Sequence, residues 1–170
     1  MAQKAVKVKV IDKGWNKIKA QAIVLAKGKV CAIGIQGSAA ELESAEHGPM
    51  TNAELAAIHE FGAPKAGVPQ RSFIRSTIDE NKDRYQEELN RIGSGFYAGE
   101  SVEQSLLLAG ERVKKDIIDK INSKIPPPLS PITIERKHGE TTPLVKSGQL
   151  RNSLSAQIRD ATEFKGEATP

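Results

Sequence analysis

Val6, Val8 and Val10 alternate with Lys7 and Lys9, the period-two pattern of a strand with one buried and one wet face, and they predict a strand over Ala5–Ile11. Asp12 then stands at an N-cap position. Trp15, Ile18, Ala22 and Leu25 recur at helical spacing up to Gly28, so an amphipathic helix follows. Cys31, Ile33 and Ile35 alternate between Gly28 and Gly37 and predict a second strand, with a loop over Gly37–Met50. Thr51-Asn-Ala-Glu54 is a capping box that opens a short helix ending near Gly62, and Ala63–Gln70, with two prolines, reads as a loop. Ile78, Tyr85, Leu89 and Ile92 share one stripe of a long helix, for which Gly93 is the natural stop.

Ser101-Val-Glu-Gln104 is a second capping box. Beyond it Val102, Leu106, Ala109, Val113, Ile117 and Ile121 trace a core-facing stripe that Pro126-Pro-Pro128 ends. Glu100 and Glu103 at the start of this helix and Lys120 and Lys124 at its end suit the helix dipole. Pro131–Thr142 reads as a polar loop with a short strand through Ile132 and Ile134. Leu150, Leu154, Ala156 and Ile158 alternate with polar residues and predict a last strand. After Asp160 the chain turns polar and small, and 161–170 is expected to fray. The inventory is α+β: a small antiparallel sheet packed against two to three long helices, in one domain over residues 1–160.

Composition narrows this picture. Four Phe, two Tyr and one Trp in 170 residues leave the packing to Ile, Leu, Val and Ala. The longest aliphatic run, Ala22–Ala26, is far too short to cross a bilayer, so no membrane partner is expected. The lysine–valine alternation at the start lacks the apolar block of a secretory signal, so export by that route is not expected. A single cysteine, Cys31, excludes an internal disulfide and metal sites built on cysteine, and it fits a reducing compartment.

Charge is strongly segregated. Residues 1–30 hold eight lysines against Asp12 alone, a net +7, and residues 31–64 hold five glutamates with no Lys or Arg, a net −5. The basic arm, with Lys4, Lys7 and Lys9, is a candidate for weak contact with DNA phosphates or with the acidic segment of a neighbouring copy. Only Trp15 accompanies these lysines, whereas a single-strand binder needs several stacking aromatics.

No catalytic set emerges. His59-Glu60 lacks the second zinc-binding histidine, because position 63 is Ala63, and His47 and His138 show no ligand spacing. No phosphate-cradling loop occurs, and Gly34-Ile-Gln-Gly37 is not a dinucleotide fingerprint. No serine has a lysine three residues on, Gly-x-Ser-x-Gly is absent, and Cys31 sits mid-strand as a small core residue. The reading is therefore non-enzymatic, with no catalytic, cofactor or metal residue assigned.

Three segments together resemble a known group. Ala57-Ile-His-Glu-Phe-Gly62, Val68-Pro-Gln-Arg-Ser-Phe-Ile-Arg75 and Thr142-Pro-Leu-Val-Lys-Ser-Gly-Gln-Leu-Arg-Asn-Ser153 resemble tailed-phage virion morphogenesis proteins of the neck and tail-completion, or head–tail joining, type. The run Pro127–Lys137 is similar as well, so the likeness covers most of 57–153, in order; the first fifty residues add little. Ser72 stands where the group has proline, and Ser147 where it often has threonine. The resemblance implies a structural α+β virion protein that assembles with itself as a ring, a hexamer, in the neck, and that is present in host cytoplasm during assembly. Its implied partners are a head-completion or portal-side connector protein and a tail terminator or tail tube protein, with weak contact to genomic DNA in the lumen. A tail terminator or minor tail protein is the neighbouring alternative, and a DNA-binding accessory protein using the lysine arm is the alternative of another class.

The residues carrying the pattern are His59, Glu60, Phe61, Gly62, Arg71, Phe73, Arg75, Lys146, Ser147, Gly148, Leu150 and Arg151, expected as motif or subunit-interface positions. Gly62 suits a left-handed helix end, with Phe61 anchoring that turn in the core. Gly148 permits a tight turn before a strand. Arg71, Arg75 and Arg151 offer planar, permanently charged forks suited to carboxylates across a subunit boundary, with Glu60 and the acidic segment as receivers. Phe73 and Leu150 serve equally well as plain core.

Overall fold

The structure, a computed structural model, describes residues 28–43, 49–145 and 147–164. The strand expected at Ala5–Ile11 and the helix after Asp12 lie outside the described residues. In chain order the elements are β1 (Lys29–Ile35), α1 (Ser38–Glu41), α2 (Asn52–Phe61), α3 (Arg75–Glu80), α4 (Lys82–Tyr97), α5 (Val102–Asn122), α6 (Pro131–Arg136), α7 (Gln149–Asn152) and β2 (Leu154–Asp160). Short 3₁₀ turns occupy Pro64–Ala66 and Ala161–Phe164. The two strands form one antiparallel sheet with Lys29 opposite Asp160 and Ile35 opposite Leu154, so the fold is a single α+β domain in which residues 29–35 pair with 154–160.

The long helix α5 is the spine. Ser101 accepts a hydrogen bond from the Gln104 amide at 3.4 Å, half of its expected box. Val102, Ala109, Val113, Ile117 and Ile121 of the predicted stripe are buried. Gly110 brings the helix onto the sheet, because a β-carbon there would collide with Cys31 Sγ and lie 3.3 Å from Ala156 Cβ. On this spine sits the core, in which Phe73, Ile117 and Ile121 are fully buried beside Ala56, Val113, Ile125, Leu150 and Leu154.

α2 forms as its sequence dictates. Thr51 Oγ1 accepts from the Glu54 amide at 3.2 Å, and Glu54 Oε2 accepts from the Thr51 amide at 2.9 Å. The helix ends at Gly62.

Four expectations change. The Gly37–Met50 stretch contains α1. The helix expected from Ile78 to Gly93 is two helices, since Asn81, at φ −115°, breaks the run and its Nδ2 donates to Thr77 O at 2.8 Å; α4 then passes through Gly93 to Tyr97. Its stripe is only partly covered, with Leu89 half exposed. Tyr85 packs against the core, and side-chain pairs link α4 to α5: Arg84 and the Tyr85 hydroxyl meet Asp116 at 2.5 and 2.8 Å, and Arg112 pairs with Glu88.

Ile132 and Ile134 belong to a helix, α6, rather than a strand. Ser130 caps it by accepting from the Thr133 amide at 3.2 Å, and Pro131 occupies its first turn, where a missing N–H costs nothing. Leu150, expected in the last strand, lies one element earlier, on the helical turn α7.

Candidate functional site

The first two motif segments fold into one another through Glu60. This residue closes the last turn of α2, is 6% exposed, and spends its carboxylate inside its own chain. Its Oε1 accepts from Ser72 Oγ at 2.6 Å and from the Arg75 amide at 3.0 Å, while Oε2 accepts from the amides of Phe73 at 2.9 Å and Ile74 at 3.0 Å. Those amides open α3, whose first N–H groups have no intrahelical partner. A negative side chain twelve to fifteen residues upstream thus caps the helix and complements its dipole. Burial pushes the Glu60 carboxyl up, but the Ser72 hydroxyl and the amides of Ile74, Arg75 and Phe73 outweigh it and hold the group below its ordinary range. Arg75 Nε stands 3.9 Å from Glu60 Oε1.

The expected role of Glu60 as a receiver for a neighbouring subunit's arginine is therefore corrected: its acceptor sites face donors of its own chain. Ser72 also acquires a reason. Its hydroxyl donates to Glu60 and accepts from the Ser76 amide at 3.1 Å, and neither bond is open to a proline side chain.

Arg71 ties the cluster to the chain beyond α5. Its amide donates to His59 O at 2.8 Å, and its Nε and Nη2 donate to Pro127 O at 3.2 and 2.8 Å. At 6% exposure it is recessed rather than presented on the surface, with Nε and Nη2 spent on Pro127, and burial pulls its pKa down. Gly62 sits at φ 77°, ψ 164°, a region open essentially to glycine alone rather than the left-handed helical well. A β-carbon there would lie 2.9 Å from the Gln70 nitrogen. Phe61 does not anchor this turn in the core: it is 65% exposed, with the Arg75 guanidinium 5.3 Å over its ring. Phe73 and Leu150 are core.

The third segment closes the opposite side. Gly148, at φ 79°, is the left-handed N-cap of α7, so its turn precedes a helical turn and not the strand itself. Ser147 Oγ accepts from the Gln149 amide at 3.2 Å. Gln149 Nε2 donates to Glu43 O at 2.9 Å, and Arg151 Nη1 donates to Asn122 Oδ1 at 3.2 Å, so Arg151 too is engaged within the chain. Lys146 lies outside the described residues, as do Lys4, Lys7 and Lys9.

Between the segments lies a hollow of about 400 Å³. His59 and Arg71 come to it from the first two segments, Leu129 and Arg136 from the proline-rich run and α6, and Gly148 and Leu150 from the third. Three stretches far apart in sequence thus meet at one concave surface. The sequence marked Pro127 and Arg136 only as members of the similar run Pro127–Lys137 and gave neither a role; their roles depend on the return of the chain after α5. Cys31 stands apart on β1, where burial and the nearby Glu111 carboxylate push its thiol up, which disfavours the nucleophilic thiolate. No protein-family model matches the chain, and neither a curated protein nor a solved structure matches it.

Proposed function

We propose that this chain is a structural virion protein of a tailed phage, forming a ring in the neck that joins or completes the tail at the head–tail interface. It works through mating surfaces rather than bond-making side chains, and its partners are further copies of itself, a portal-side connector protein and a tail terminator or tail tube protein. The observation that carries this reading is the ordered set of three segments from Ala57 to Ser153. Their residues support one another internally: Glu60 of the first caps the helix begun by the second, and the backbone of Arg71 is bonded to His59.

A motif whose polar groups are consumed in fixing a local shape suits a scaffold that presents surfaces, and Phe61, exposed beside Arg75, is a candidate contact on one. In a cyclic ring each copy offers two different patches, which the opposed charges of residues 1–30 and 31–64 also suit. Electron cryo-microscopy of the parent particle tests the reading. Density for this chain as a ring at the head–tail junction is expected, and its position distinguishes a joining ring from a tail terminator. A particle whose neck and tail lack the chain overturns the proposal.

A further inference from the structure

We propose that the hollow bordered by α2, α6 and the described residues Leu144, Val145, Ser147, Gly148, Gln149 and Leu150 is a binding site for a carboxylate carried on an apolar peptide segment of a partner protein. Two arginines are among the residues that line it, Arg71 and Arg136. Among the described residues neither has an ion-pair partner. Arg71 is the more telling: a charge at 6% exposure is held by a neutral carbonyl, Pro127 O, and only part of its N–H fork is spent there. A buried cation with no counter-charge is costly, and a planar carboxylate is the acceptor that its remaining donors fit.

No Asp or Glu lines the hollow among the described residues. Lys137, which also borders it, already donates to Thr142 O at 2.7 Å and lies near Glu140, so the attraction rests on the two arginines. His59, Thr133, Ser147 and Gln149 add polar groups to the wall, and Leu55, Leu129, Leu144, Val145 and Leu150 give it its apolar part, so the carboxylate arrives on a body with aliphatic side chains. Nucleic acid fits poorly. A duplex offers phosphates to exposed cations, whereas Arg71 is recessed in a hollow sized for one or two side chains. The site's chemistry holds whichever particle or complex the chain serves.

The test uses the full chain, labelled with ¹⁵N and titrated with the peptide acetyl-Leu-Glu-Leu-Glu-Leu-amide. Shifts are expected at the amides of Gly148, Gln149 and Leu150, with the glutamine counterpart of the peptide binding about tenfold more weakly. Arg136→Gln, at an exposed position, is expected to weaken binding about fivefold with thermal unfolding unchanged, and Arg71→Lys, which keeps the charge and loses the fork, to weaken it as well. No shift at about 5 mM peptide, equal binding of the glutamine peptide, or indifference to Arg136→Gln overturns the proposal. So does a short DNA duplex that shifts the same amides at lower concentration than the peptide.

Discussion

Glu60 keeps its charge in a nearly dry site because four donors face it, and the same four donors make its loss expensive. Glu60→Gln removes the charge and turns an NH₂ group toward N–H donors, which is expected to cost about 2–3 kcal/mol in urea unfolding. The pH dependence follows from the depressed pKa. The Glu60 contribution is complete above the unfolded carboxyl value of 4.5 and is lost as pH falls through the lower folded value. Wild-type stability should therefore decline between about pH 5 and pH 2 more steeply than that of Glu60→Gln; parallel curves contradict this account. Gly62 is the second pivot. Gly62→Ala meets both the positive φ and the Gln70 backbone, so a loss of about 2 kcal/mol is expected, and an unchanged unfolding midpoint counts against the geometry.

At the scale of elements, the approach of α5 to the sheet rests on a missing side chain. Alanine at position 110 gains about 1 kcal/mol in helix propensity, but its β-carbon collides with Cys31 Sγ and crowds Ala156, and overpacking of this kind costs about 1–3 kcal/mol. Gly110→Ala is therefore expected to destabilise the protein, and less so in a Cys31→Ala background. A double-mutant cycle should return a coupling of about 1 kcal/mol or more, and strict additivity refutes the contact. By contrast α4 buries none of its residues fully, and meets the rest of the chain through Tyr85 against the core and side-chain pairs to α5.

At the scale of the whole molecule, a sheet pairs residues 29–35 with 154–160, strands that bracket the described helices in sequence. What the motif cluster leaves outside is informative. Phe61 is exposed, so Phe61→Ala is expected to change the stability of the free chain by no more than about 0.5 kcal/mol, and, under the virion role proposed above, to reduce incorporation into the particle. Thermal unfolding and the protein content of purified particles measure the two halves. A destabilisation of about 2 kcal/mol or more places Phe61 in the fold rather than at a mating surface.

The sequence alone determined what depends on near neighbours. The Thr51–Glu54 box, the buried stripe from Val102 to Ile121, the alternation at Cys31, Ile33 and Ile35 and the α+β class all follow from contacts within a few residues, where spacing fixes geometry. Local pattern failed where two readings shared it: Ile132 and Ile134 alternate as in a strand, and the Ser130–Pro131 cap was the signal that favoured a helix. Only the tertiary structure decided that Glu60 caps a helix beginning fifteen residues later, that Arg71 reaches a carbonyl fifty-six residues away, and that Phe61 points to solvent. Such partners are selected by how packed elements bring their ends together, which no short window of sequence encodes.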